Sequence, residues 1–367
     1  MSGSIYGTVF SITTWGESHG SGIGVVVDGC PAGLVMDDEY VQSYLDRRKP
    51  GQTIYSTPRK EEDKVAILSG VFEGRTTGTP ISLVVYNENQ RSGDYSKIAS
   101  YYRPGHADYT FDQKYGFRDY RGGGRTSGRE TIGRVAAGAI AVAILKELGI
   151  EVKAYTRSIG PNAIDSMNSD IGQVSSSPLS MPDLDASRRA ENYLLEQMKD
   201  HNSVGGVIEC IVTGMPSGVG EPVFDKLDAS LAKAIMSIGA VKGVEIGDGF
   251  HSTTVTGAEN NDPFRFDDNG NVVKDSNHAG GILGGISDGS NIILRAAIKP
   301  TPSIFRPQNT INKNNENVEI QIEGRHDPVI VPRAVVVVEA MVAITLVDHL
   351  FIGMTSQISK IKEFYHK

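Results

Sequence analysis

Apolar residues follow two periods along the chain. Short runs rich in Val and Ile, bounded by Gly, Pro or Asp, read as strands at 22–28, 65–71, 81–86, 151–158, 205–213, 291–299 and 318–323. Between them, apolar positions at helical spacing predict helices at 38–49, 131–148, 187–201, 225–238 and 333–351. The 335–338 run of valines suits a strand by propensity. The continuing pattern Ala340, Ile344, Val347 and the length of the run favour a buried helix. Two almost wholly apolar helices among many strands predict an α+β fold with sheets packed on helices. Strict strand–helix alternation is absent, so a doubly wound parallel sheet is disfavoured. Residues 161–185, rich in Ser, Pro and Asp, read as an insertion loop and not as a linker.

Residues 87–127 show no clear period. Segments of that length are uncommon in compact domains and are usually functional or disordered. This one carries Tyr95, Tyr101, Tyr102, Tyr109, Phe111, Tyr115, Phe117 and Tyr120, too many aromatics for disorder. An ordered loop around a site is expected.

Composition narrows the classes. A formal net charge of −8 argues against general affinity for nucleic acid or an anionic membrane. Cys30 and Cys210 are too few for a disulfide framework and lie in no metal-ligand spacing, so no metal site is expected. The first twenty residues hold no basic-then-apolar leader, and the apolar stretch 334–347 is short of the roughly 20 residues a bilayer requires. A cytoplasmic protein is expected. Glycine is in excess, 42 of 367 residues, about 11% against an average near 7%. Many are clustered, which suits a ligand approached closely by main chain.

The strongest chemical signal is the segment 120–130, Tyr-Arg-Gly-Gly-Gly-Arg-Thr-Ser-Gly-Arg-Glu. Ser127 and Glu130 form a capping-box pattern that starts a helix near Gly128. Glycines immediately upstream of a helix start leave free N–H groups and a positive dipole end for an anion. Residues 100–134 hold seven Lys/Arg (Arg103, Lys114, Arg118, Arg121, Arg125, Arg129, Arg134) against Asp108, Asp112, Asp119 and Glu130, a local excess of three. A bound phosphate or carboxylate is the reading preferred over a capped helix with solvated arginines. No Walker A pattern occurs, so nucleotide hydrolysis is not implied. His19 and His106 each sit in a Gly-flanked polar turn, where an imidazole can exchange protons near neutrality or simply hydrogen-bond a loop. Gly16–Gly20 spells a nucleophile elbow, but a strand follows it where that motif needs a helix. The glycine pairs of 276–287 lead into a strand, not a phosphate-binding helix, and are open to either a ring-binding or a turn-forming role.

Together these segments resemble the chorismate synthase family over essentially the whole chain: 16–20, 103–108, 120–130, Gly-Val-Glu-Ile-Gly-Asp-Gly-Phe at 243–250, 276–287 and Gly-Arg-His-Asp-Pro at 324–328. The resemblance implies a single domain over 1–367: a β-α-β sandwich with a central helical layer between two antiparallel sheets, assembled as a homotetramer. It implies 1,4-elimination of phosphate and a ring hydrogen from 5-enolpyruvylshikimate 3-phosphate, giving chorismate, with reduced FMN required and no net redox change. It places His19, His106, Asp327 and Ser127 in catalysis: His19 at the departing phosphate, His106 beside the flavin, Asp327 with Ser127 at the flavin N5. Arg48, Arg129 and Arg134, with His19, would grip the substrate. Arg125, Thr126, Ser127, Gly239, Ala240, Gly284, Lys299, Pro300, Thr301, Pro302, Ser303 and Arg325 would hold the flavin.

Three positions depart from the family pattern: Ile54 for a common Arg, Gly239 for Asn and Pro302 for Ser. Arg59 or Lys60 is expected to compensate for the first. An external flavin reductase is expected to supply reduced FMN, with NADPH as an indirect reductant. Two other readings are weighed: a flavin oxidoreductase on a small phosphorylated anion, and a non-catalytic phosphate- or RNA-binding protein. The acidic net charge counts against the latter.

Overall fold

The computed structural model describes residues 3–57, 61–87, 98–322 and 327–366. The first half builds an antiparallel sheet from β1 (Ile5–Tyr6), β2 (Ser11–Gly16) and β3 (Gly22–Asp28), then, after helix α1 (Asp38–Arg48), β4 (Val65–Ile67) and β5 (Ile81–Tyr86). The spatial order is β1-β2-β3-β5-β4. The next helices are α2 (Asp108–Tyr115) and α3 (Thr131–Glu147). The second sheet uses β6 (Glu151–Ile159), β7 (Asn162–Ala163) and, after α4 (Leu184–Lys199), β8 (Gly206–Thr213). Helix α5 (Leu227–Met236) precedes β9 (Val241–Ile246) and β10 (Ile292–Ile298), giving the order β9-β10-β8-β6-β7. Helix α6 spans Val331–Gly353.

Both sheets are antiparallel throughout, with Val25 opposite Leu83 in the first and Cys210 between Leu294 and Ala154 in the second. Helix α3 packs on β2, β3 and β5, helix α6 packs on β6 and β8, and the two helices pack on each other. This explains their composition, since a helix covered on all sides gains from apolar residues on every face. Gly138 sets their spacing: a Cβ there would lie 2.3 Å from the Ala340 Cβ. Gly133 lets α3 approach the first sheet, where a Cβ would sit 3.1 Å from the Gly24 carbonyl oxygen.

The helix ends follow local rules. Asp37 caps α1 by accepting from Tyr40 N at 2.7 Å; Asp38 and Glu39 lie in the first turn and Arg47 and Arg48 in the last, each complementing the dipole. Asp183 caps α4 through Asp185 N and Ala186 N. Inside apolar α6, buried Glu339 pairs with Arg47 at 2.7 Å and accepts Ala154 N at 2.9 Å, tying α6 to α1 and the second sheet. Asp348 accepts three successive backbone N–H groups, from Thr8, Val9 and Phe10, at 2.7–3.0 Å.

Several sequence expectations are corrected. The expected strand 65–71 breaks into Val65–Ile67 and Val71–Phe72 around Gly70, whose φ of +79° ends the extended run. The expected strand 318–323 falls in a separate two-stranded hairpin, Pro307–Ile311 with Asn317–Gln321. The aperiodic region contains helix α2, whose exposed, aromatic-rich face hides its period. Strands β2 and β9 were not anticipated, because Thr, Gly, Lys and Glu dilute their apolar alternation.

Candidate active site

The first sheet, α1, α3 and the start of α6 bring one set of residues together. His19 sits in the turn from β2 to β3, its Nδ1 3.1 Å from Ser18 Oγ, and its ring lies against Gly122. A Cβ on Gly122 would come within 2.5 Å of that imidazole, so the glycine at φ +143° is what allows the loop to close on it. Asn87, at the end of β5, fixes the same turn by donating to Glu17 O and Gly20 O, and its Oδ1 accepts Arg129 Nε at 2.8 Å. Arg48, at the last turn of α1, reaches Gly128 O at 3.4 Å and Asp63 at 2.5 Å. Arg129 shares Asp63 at 2.8 Å and also pairs with Glu61. Asp327 accepts Thr57 N at 2.8 Å and Arg333 at 2.5 Å, and Arg333 donates to Arg48 O. Burial, with the nearby Arg48 charge, pulls the Arg333 guanidinium below its ordinary value despite Asp327.

Ser127 opens the helical segment as expected: its Oγ accepts Arg129 N at 3.3 Å and a 3-10 turn, Gly128–Glu130, leads into α3. The capping box is only half formed. The Glu130 carboxylate points elsewhere, to Arg134 at 2.9 Å and to Thr14 Oγ at 3.3 Å, because a guanidinium outcompetes a backbone N–H for it.

A second set surrounds His106. A carbonyl can only accept, so His106 Nδ1, 3.1 Å from Pro104 O, carries hydrogen. Nε2 lies 3.0 Å from Ser303 Oγ. The serine hydroxyl can donate to the neutral ring or accept from the charged one. Gly105, at φ +70°, lets the turn press on Pro302, and its carbonyl accepts Lys299 Nζ at 2.9 Å. The turn is closed by Asp108, bidentate with Arg103 at 2.8 Å and near Arg118. Burial raises the Asp108 carboxyl, but the Arg103 hydrogen bonds and charge outweigh it and hold it below the usual carboxylate range.

The two sets meet through residues 203–204 and through Arg134. Ser203 Oγ donates to Thr301 O at 2.6 Å while Val204 N donates to Pro328 O at 2.9 Å, so the Lys299–Ser303 segment and the one bearing Asp327 are neighbours. Arg134 reaches Ser237, in the turn before Ala240, whose carbonyl accepts Lys299 N. Sequence reading missed Asn87, Asp63, Ser203 and Ser303's hold on His106. Asn87, Ser203 and Ser303 lie in no periodic or charged pattern, and Asp63 sits in the charged run 59–64, which by itself reads as a solvated stretch.

The expected local excess of positive charge is reduced by ion pairs. Arg103 and Arg118 serve Asp108, Arg121 serves Asp119, Arg129 serves Asp63 and Glu61, and Arg134 serves Glu130. Asp63 and Glu61 come from outside the stretch, which a local count cannot see. Arg125 differs: it donates to neutral acceptors, Gly16 O, Thr14 O, Thr14 Oγ and Ser4 Oγ.

Gly284 is not brought to the rest. Gly285 O accepts Leu227 N at the first turn of α5, whereas Gly239 and Ala240 follow its last turn, about 15 Å away along a ten-residue helix. The glycine-rich 276–287 segment forms turns around a small hairpin, Ile282–Leu283 with Ile286–Ser287. Thr126 is exposed and donates to Gly123 O. Ile54 is 71% exposed. Arg325, Arg59 and Lys60 lie outside the described residues. Among the described residues no cluster of three His, Cys, Asp or Glu is arranged for a metal ion.

Comparison with known proteins gives one family. Residues 10–351 match the family described as chorismate synthase. A chorismate synthase of Lachnoclostridium phytofermentans is 67% identical over 367 residues, covering all of both chains. One from Methanococcoides burtonii is 54% identical over 353 residues, covering 95% of this chain and 96% of that one. A crystal structure of a chorismate synthase superposes with a TM-score of 0.76 at 29% identity, covering 98% of this chain and 97% of that one.

Proposed function

The chain belongs to the chorismate synthase family, and from that premise we propose how its own side chains perform the reaction. It is a lyase acting on a phosphate ester, converting 5-enolpyruvylshikimate 3-phosphate to chorismate by 1,4-elimination of phosphate and a ring hydrogen. The comparisons do not favour the flavin oxidoreductase reading.

The observation that carries the residue assignments is the convergence of His19, Arg48 and Arg129 on the glycine loop at the start of α3. The substrate carries two carboxylates and a phosphate, and planar guanidinium forks match both. Arg48 and Arg129 orient it, joined by Arg134 from the next turn of α3. His19 donates a proton or charge-assisted hydrogen bond to the departing phosphate, from a turn that Asn87 and Gly122 hold in place. Asp327 keeps lone pairs beyond its bonds to Thr57 and Arg333, since each carboxylate oxygen has two, and with Ser127 it handles the proton lost from the ring.

Reduced FMN, when bound, supplies the electron-rich ring that assists loss of the allylic phosphate. The protein fits such a group around Lys299–Ser303, Arg125 and Ala240. Thr301 Oγ there is buried with no hydrogen-bond partner among the described residues, and a flavin would provide one. His106 Nε2, poised on Ser303, is the protein's proton-holding atom on that side. The readings of one domain, a helical layer between two sheets, a homotetramer, a cytoplasmic location and an external flavin reductase rest on the family resemblance and complete the proposal.

An anaerobic assay of phosphate release tests it. We expect one phosphate per chorismate with dithionite-reduced FMN and none without it. Release with oxidised flavin, or flavin oxidation in step with turnover, would sink the reading.

A further inference from the structure

We infer that Asp63 is a positioning residue for substrate binding: one buried carboxylate sets the directions of both Arg48 and Arg129. The inference rests on the reading that these two arginines grip the substrate's anionic groups.

The Asp63 side chain has no exposed surface, and that of Arg48 is 3% exposed. Its two oxygens are divided, Oδ2 to Arg48 Nη2 at 2.5 Å and Oδ1 to Arg129 Nη1 at 2.8 Å. Each guanidinium is a rigid planar fork, so fixing one N–H and one further contact fixes the rest. For Arg48 the further contact is Gly128 O at 3.4 Å; for Arg129 the further contacts are Asn87 Oδ1 at 2.8 Å and the Glu61 carboxylate, which reaches Arg129 alone of the two arginines. The Arg48 Nε is buried without a hydrogen-bond partner among the described residues, so the geometry places Arg48 for Asp63 at the expense of its own local bonding. Without the shared anion, Glu61 would still hold Arg129, but Arg48 would face that cation with no carboxylate between them and would swing away.

The backbone around Asp63 is fixed as well. Its φ is +45°, a left-handed conformation that Asp tolerates better than most residues. Such conformations persist where surroundings enforce them and concentrate at functional sites. Here Gln42 of α1 enforces it, donating to Asp63 O at 3.3 Å and accepting Val65 N at 2.9 Å. Helix α1 thus carries Arg48 at one end and anchors the carboxylate that aims it.

A purely structural ion pair predicts something different from a positioning role. Asp63→Glu keeps the charge and moves it by about one methylene length; Asp63→Asn keeps the shape and left-handed tolerance but removes the charge. Misplacement on the order of 1 Å is enough to cost up to 10²-fold at a reacting site. For Asp63→Glu we expect a folded protein whose melting temperature falls by about a few degrees, from the buried extra methylene and the left-handed backbone, with a KM for the phosphorylated substrate raised about tenfold and kcat within about threefold. Asp63→Asn should raise KM at least as much. If Asp63→Asn fails to fold, Asp63→Glu decides, because partial unfolding lowers the active fraction and therefore kcat, not KM. A wild-type KM in Asp63→Glu, with KM raised in Arg129→Ala, overturns the inference alone. A wild-type KM in Arg129→Ala overturns the reading beneath it.

Discussion

At the scale of single residues, the site depends on close approaches that leave no room for a methyl group. Gly122 is the sharpest case. Gly122→Ala should displace the His19 ring and lower kcat by about 10²-fold or more, with the melting temperature little changed; steady-state kinetics beside thermal denaturation checks both. His106→Ala should likewise lose about 10²–10⁴ in rate while staying folded, and full turnover in that variant would remove its imidazole from the mechanism. The residues proposed to carry chemistry stand out in the sequence because their types are unusual in such turns: a histidine between glycines, arginines after three glycines. Their partners do not. Asp63 lies 66 residues from Arg129 and Ser303 lies 197 from His106, and nothing local links either pair.

At the scale of elements, the helices were the most readable part. The periodic or apolar runs at 38–49, 131–148 and 333–351 correspond to Asp38–Arg48, Thr131–Glu147 and Val331–Gly353, with ends shifted by two residues or fewer. Burial on all sides gives α3 and α6 a signal that loops and edge strands lack. What spacing could not show is how near they come. Gly138→Ala would force the Ala340 contact apart, and overpacking of this kind costs about 1–3 kcal/mol, measurable by urea unfolding. The cap of α4 gives a pH prediction. Burial raises the Asp183 carboxyl, but N–H groups of Ala186, Asp165 and Asp185 outweigh it and leave it below its ordinary value. A depressed folded-state value means that the stabilisation is complete above the unfolded value of about 3.9 and fades as pH falls through the folded one. Asp183→Ala should therefore cost about 1–2 kcal/mol at pH 7, and the gap to wild type should shrink in strongly acidic buffer.

At the scale of the whole molecule, the apolar α6 illustrates how context decides function. Its 23 residues are long and apolar enough to cross a bilayer by composition, yet most of them are enclosed by protein. Glu339 and Asp348 within it reach Arg47 and the backbone of Thr8–Phe10, contacts that need protein neighbours and not lipid. Chain-wide electrostatics follow the same logic. The acidic total and the compensated arginines make recognition a matter of a few aimed guanidinium groups, so substrate KM should rise only modestly with salt where broad electrostatic capture would give a steep dependence.

The clasp between Asp348 and the Thr8–Phe10 turn joins residues 340 apart. During translation at about 5–20 residues per second, the Thr8–Phe10 turn must wait on the order of tens of seconds for its acceptor to leave the ribosome. Until then its amides and the apolar face behind it are open to wrong partners. Premature stop codons just ahead of position 348 should thus yield chaperone-bound or insoluble chains, although every residue of the proposed catalytic set has already been made.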